Sequence, residues 1–358
     1  MTLFVYVARR ALAAFAGALV AVVALFLVVD FAENANIFHG PGWMTSALAY
    51  YANKATVVAY QIAPAAMLLA AAVTASGFRK TREYTAMRAL GLGPWRLAAP
   101  VLAVMAVVGG AMAFFGDTLV VDASMRSEQI MAERFNRSGT WQRWHELKTW
   151  FRGREGRRVY HLRRAGPAGS FEGVTIFEIT PDFKLSRRID ADRMIPDPSG
   201  DWNLEGVQER TFGAQGQTHF EAANRKSYHF DEDPEAFAIR PGRPAEMRRA
   251  VVGEQIALRR RLGLPVADFR LEWHNKLAYP LAGVPAGLLA LALALRRNRR
   301  GHLTAALVEA VGISLLFWAA QGIAWSMALA GRLGPALGAW GPDAAFLVAG
   351  FLSLRKNS

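Results

Sequence analysis

The sequence predicts an α-helical membrane protein with six transmembrane helices and an all-β, jellyroll-like domain inserted between the third and the fourth. Three observations predict it. Nearly all long uncharged runs lie before residue 117 or after residue 276. Between them, from Val159 to Phe230, apolar residues recur with a period of two. Lysine and arginine crowd one set of short loops and avoid the other. The 358 residues are 53% hydrophobic yet 20% charged, and none is cysteine. That composition excludes a plain soluble enzyme, a disordered chain, a disulfide scaffold, thiolate metal sites and cysteine nucleophiles.

A helix crosses about 30 Å of hydrocarbon with roughly 20 apolar residues. Uncharged runs of 19, 24, 20, 19 and 22 residues fill Ala11–Val29, Ala55–Phe78, Leu97–Gly116, Leu277–Leu295 and Ala310–Gly331. Asp343 interrupts a sixth run, Ala336–Leu354. The first run is long for a signal peptide and no clear cleavage site follows it, so it is expected to stay as an anchor. Six spans put both termini on one side.

With the N-terminus in the cytoplasm, the inner segments hold Arg9, Arg10, Arg79, Lys80, Arg82, Arg88, Arg96, Arg296, Arg297, Arg299, Arg300, Arg355 and Lys356. The short outer loops hold Lys54 and Arg332. Thirteen against two orients the chain, with the β domain outside. Residues 1–121 then form the first three spans, 122–270 the outer domain and 271–358 the last three spans. The outer domain carries 26 basic and 22 acidic residues, so much of the net charge of +13 is topogenic. No nucleic-acid partner is expected.

In the outer domain, residues 174–180, 183–189, 202–207 and 218–230 alternate like strands. Pro181-Asp182 and the stretch 196–200 supply the turns. Asp122–Glu146 is polar and helix-compatible, a stalk, and Arg243–Leu262 is a helical return path. The strands' apolar faces either pack on one another or open into a trough for acyl chains.

The loop after the second span reads GFRKTREYTAMRALGLGPWR from Gly77 to Arg96, with a helix expected at about residues 79–92. Its helical pattern stops at Gly91 and Gly93. A topogenic loop explains its basic residues. A helix offered to a partner explains the single acid, Glu83, and the compact end as well.

These residues resemble a known family. Arg82-Glu83-Tyr84-Thr-Ala-Met87-Arg88-Ala-Leu90-Gly91 is similar to the coupling helix of LptF/LptG permeases, the membrane subunits of the lipopolysaccharide-export ABC transporter. Tyr6–Arg10, Pro64, Lys184–Ala191 with Gly200–Leu204, Glu272–Pro280, and Gly334-Pro335 with Trp340–Pro342 resemble the family in the same order along the chain. At Lys276 the family usually has arginine. Asp30, Glu33, Gly312–Ser314 and Gln321 look more like the G-type subunit.

The resemblance implies a bacterial inner-membrane permease with a periplasmic β-jellyroll. Its partners would be a second permease in a heterodimer, a cytoplasmic ABC ATPase dimer, and LptC-like and LptA-like bridge proteins. Its cargo would be lipopolysaccharide. The chain has no G-x-x-x-x-G-K-[ST], so ATP and Mg would be held by the partner ATPase and no cofactor by this chain. Glu83 would be the charged contact, with Tyr84, Met87 and Leu90 in the ATPase groove. A cavity for the lipid would draw on Phe26 and Phe31 of the first span and Phe317, Trp318, Gln321 and Trp325 of the fifth. Lys54 would meet phosphate or snorkel at the interface. Asp30 and Glu33 beside an anionic lipid need basic neighbours or divalent cations. Glu309 is either an intramembrane functional group or the partner of Arg299 or Arg300. The seven histidines form no metal or catalytic motif. A permease for another lipid or lipoprotein, a non-transporting scaffold and a lipid-headgroup enzyme are the alternatives.

Overall fold

The computed structural model describes residues 2–135, 149–153, 157–165, 170–197, 200–213, 218–230, 243–261, 263–296 and 303–356. The end of the expected stalk, the centre of the 196–200 turn and the basic residues Arg297, Arg299 and Arg300 lie outside them. The chain divides into two compact units, a helical one and one centred on the inserted sheet.

Six helices of the first unit are long and apolar enough to cross a membrane. The first span is α1 (Thr2–Asn34) and the second α2 (Trp43–Lys80). The short α3 (Glu83–Ala89) follows. The third span, α4 (Trp95–Phe115), does not stop at Gly116. A single π-helical turn, residues 116–120, carries it into α5 (Val121–Phe135). Beyond the sheet come α6 (Arg249–Arg261) and the fourth span, split into α7 (Ala267–Leu281) and α8 (Gly283–Arg296). Pro280 removes an N–H donor just before that break. The fifth span is α9 (Leu303–Leu329) and the sixth α10 (Pro335–Arg355).

Small residues let these helices approach closely. Ala66, Ala70, Ala71, Ala75, Ala286, Ala290 and Ala292 are all buried. Val7, Phe78, Met87, Leu295 and Leu354 share one core cluster, so both chain ends and α3 sit at the same end of the bundle. There the Arg79 guanidinium donates to the carbonyls of Ala294 and Leu295 at 3.0 and 2.9 Å, closing the C-terminus of α8. Asp343, which interrupts the sixth apolar run, is buried in α10.

The inserted domain is a six-stranded antiparallel sheet whose order follows the chain. Its strands are β1 (Thr149–Arg152), β2 (Arg158–Ala165), β3 (Phe171–Ile179), β4 (Leu185–Pro196), β5 (Trp202–Phe212) and β6 (Thr218–Tyr228). One core contains Tyr160, Leu162, Phe171, Val174, Ile176, Ile189, Ala191, Met194, Trp202, Leu204, Val207, Tyr228 and Phe230. The pairing steps over Gly173, Asp192 and Gly206, which lie abreast on the three central strands. Gly173 and Gly206 both have φ of +63°, and a Cβ on Gly206 would meet the Asp192 carboxylate. This kink line shifts the alternation by one. Ala191 and Met194, or Leu204 and Val207, therefore face the same core although three residues apart.

Candidate functional site

Two acid–base clusters join the first span to its neighbours, one at each end. At the α3 end, α2 runs through Lys80 before Arg82 takes a left-handed conformation, φ 60°, and starts α3. Glu83 opens α3, where the helix dipole favours a carboxylate. It accepts from Thr81 Oγ1 at 2.7 Å and from Tyr6 Oη at 3.0 Å, and pairs with Arg10 at 3.0 Å. The Arg10 guanidinium also lies 5.1 Å from the Tyr6 ring centre and 5.0 Å from that of Phe78. Burial pushes the Glu83 carboxyl up. The hydrogen bonds from Thr81 and Tyr6 and the Arg10 charge outweigh it, leaving Glu83 below its ordinary value.

The other side of α3 is open. Met87 is buried and Tyr84 half-buried against the bundle, so these two side chains pack into this chain's own core rather than outward into a groove. The physical reason is the helical period, which sends residues 83, 84 and 87 to one face. Arg82, Thr85, Ala86, Arg88, Ala89 and Leu90 are exposed, Leu90 at 78%. Gly91, φ +76°, stops the helix. The Leu92 N–H donates to the Met87 carbonyl and the Gly91 N–H to that of Arg88, the paired pattern of a Schellman end.

At the opposite end, Lys54 lies on α2 itself, not in a loop. Its ammonium donates to Asp30 Oδ1 and to Tyr50 Oη, each at 2.8 Å, and Tyr51 Oη donates to Asp30 Oδ2 at 3.1 Å. Lys54 is thus the basic neighbour that Asp30 requires. Aromatic rings enclose the pair. Phe31 stacks on Phe38 at 5.7 Å and meets Tyr51 edge-on, while Phe38 meets Phe135 edge-on at 5.0 Å. Phe26 and Glu33 are exposed.

The fifth-span residues fall into other clusters. Phe317 is buried against Phe346, Trp318 packs on Tyr279, and Trp325 packs with Leu271 and Ala328. Gln321 donates to the Ala339 carbonyl at 3.4 Å. Phe317 is thus a packing residue of the fifth and sixth spans. Glu309 is half-buried on α9, and the arginines expected beside it lie outside the described residues.

A third acid is in the sheet. Glu209, on β5, pairs with Arg187 at 2.6 Å and Lys226 at 2.9 Å and accepts from Tyr228 Oη at 2.7 Å. Burial raises this carboxyl, but the bonds from Lys226, Tyr228 and Arg187 prevail and hold it down to about 2. Hydropathy and periodicity give no signal for this cluster, because its members come from three strands. Among the described residues no group of acids and histidines is placed to hold a metal.

The family model described as lipopolysaccharide export system permease LptF/LptG matches residues 5–356, nearly the whole chain. That family comprises transporter membrane subunits, and the match does not separate its two subunit types. No curated protein matches the sequence.

Proposed function

The chain belongs to the LptF/LptG family of lipopolysaccharide export permeases, and we propose that α3 is its coupling helix, passing the motion of an ABC ATPase to the first span through Glu83. The observation that carries this reading is the division of α3 into two faces. One is tied by Glu83 to Tyr6 and Arg10 of α1. The other offers Arg82, Arg88 and Leu90 outward. Glu83 in this reading is an internal strut, and the exposed face meets the ATPase. Gly91 ends the helix so that Leu90 stands clear.

In the same reading α3 and both termini face the cytoplasm, as the thirteen inner basic residues favour. The sheet then lies in the periplasm. ATP and Mg belong to the partner ATPase dimer, and a second permease of the family completes the membrane unit. The lipid leaves the outer leaflet beside the first span, where Phe26 and Phe31 offer exposed aromatic surface. Lys54 already has a carboxylate partner, so a lipid phosphate reaches it only by competing with Asp30. Among the described residues β6 is the last strand of the sheet, and its outer edge is the place for a further strand from LptC-like and LptA-like bridge proteins.

The experiment is Glu83→Ala in the reconstituted complex, measuring ATP hydrolysis and lipopolysaccharide release together. The expected outcome is retained assembly and hydrolysis with release reduced at least tenfold. Unchanged release would overturn the coupling role.

A further inference from the structure

A cavity of about 510 Å³ opens between α6, the start of α7 and the start of α10, lined by Gly253, Ile256, Arg270, Trp273, His274 and residues 334–337. It lies at the end of the helical unit remote from α3, since the fourth span, α7 and α8, and the sixth, α10, both begin there and finish at the α3 end. Its walls are apolar, with Ile256, Trp273, Pro335 and Leu337. Its basic lining residues, Arg270 and His274, both belong to α7. The Arg249 guanidinium carbon sits over the Trp273 indole, 3.8 Å from its centre, and Arg249 and Arg270 both act electrostatically on His274. Arg270 is exposed, and its guanidinium makes no ion pair or hydrogen bond among the described residues. By contrast Arg248, next to Arg249, is occupied by Asp122 at 2.8 Å.

We infer that this cavity binds one anionic glycerophospholipid, the phosphate on Arg270 and His274 and one acyl chain against Trp273, Ile256 and Leu337. The position suits it: a cation, an indole and an apolar hollow near the end of two spans meet a headgroup, an interface and a chain in that order. Charge complementarity selects the anionic class, because a guanidinium fork without a carboxylate binds phosphate oxygens in two parallel bonds. Volume limits what enters: the hollow is in the range of pockets for single small molecules, about 300–1,000 Å³, so it takes a single acyl chain beside the headgroup and the rest of the lipid stays outside it. The site is separate from the first-span aromatics and does not rest on the coupling role of α3.

The test uses the full chain in detergent, titrated with phosphatidylglycerol and, as control, phosphatidylcholine of the same chain length, with bound lipid counted by native mass spectrometry. The expected result is one tightly held phosphatidylglycerol. Arg270→Ala should weaken it by about tenfold, the loss of one charge-assisted contact. Leu337→Trp, at a position 63% exposed and so able to fold, should displace it by filling the hollow. Equal retention of both lipids, phosphatidylglycerol binding that neither substitution changes, or lipopolysaccharide held there in its place would each overturn the assignment.

Discussion

The two ends of the first span are fastened by the same chemistry in different surroundings. Arg10 and Glu83, at the α3 end, keep 42% and 33% of their side-chain surface exposed. Lys54 and Asp30, at the other end, keep 24% and 13% and are walled in by Tyr50, Tyr51, Phe31 and Phe38. An exposed pair contributes about 0–1 kcal/mol. Removing one member of a fully buried pair costs about 3–5 kcal/mol, because a charge is left without its partner, and the part-buried Lys54–Asp30 pair falls between these two cases. The first span is therefore pinned at the Lys54 end and held by a weak, reversible contact at the Glu83 end. That asymmetry suits the proposed coupling role: one fixed point and one contact that can break and re-form.

The largest expected effect breaks the fixed point. Lys54→Met leaves Asp30 without its cation and should lower the stability of the purified chain by about 2–3 kcal/mol, read as a clear drop in Tm. If the loss were as small as for Arg10→Met, the contrast between the two ends would fail. Next is the sheet, which calibrates what a buried acid is worth. Glu209→Gln should cost about 2 kcal/mol, seen as faster proteolysis of the inserted domain. Because the Glu209 carboxyl is depressed to about 2, its contribution is complete above the ordinary carboxylate range and fades as pH falls through that range toward 2. Wild-type sheet stability should fall over that window, and Glu209→Gln should flatten the fall. The smallest effect sharpens the loose end: Arg10→Met should change stability by no more than about 1 kcal/mol. The Glu83 carboxyl is also held below its ordinary value, so this contact too is present at neutral pH and weakens only on acidification.

The spans were legible because a run of about 20 apolar residues admits few other readings. The ends of the helices were not. Lys54 sits one residue before an uncharged run, and only the turn between Asn34 and Trp43 shows that it meets Asp30, 24 residues earlier. Glu83 stood out as a lone acid, yet its partners Tyr6 and Arg10 are 77 and 73 residues away. Hydrophobic period carries no information on such pairings. Met87 read as a partner-facing residue because the pattern places it on an apolar face without telling which body covers that face. In the sheet, alternation located the central strands, but the kink at Gly173, Asp192 and Gly206 resets the parity and hides half of the core from a strict period of two.

The most direct measurement of the central claim is a double-mutant cycle on the Arg10–Glu83 contact in the reconstituted complex, following ATP hydrolysis and lipopolysaccharide release for Arg10→Ala, Glu83→Ala and both together. A strut between α3 and the first span predicts that each single substitution reduces release while hydrolysis continues, and that the double variant is no worse than either. Loss of release with Glu83→Ala alone, with Arg10→Ala silent, would contradict the strut and make Glu83 a direct contact to the ATPase.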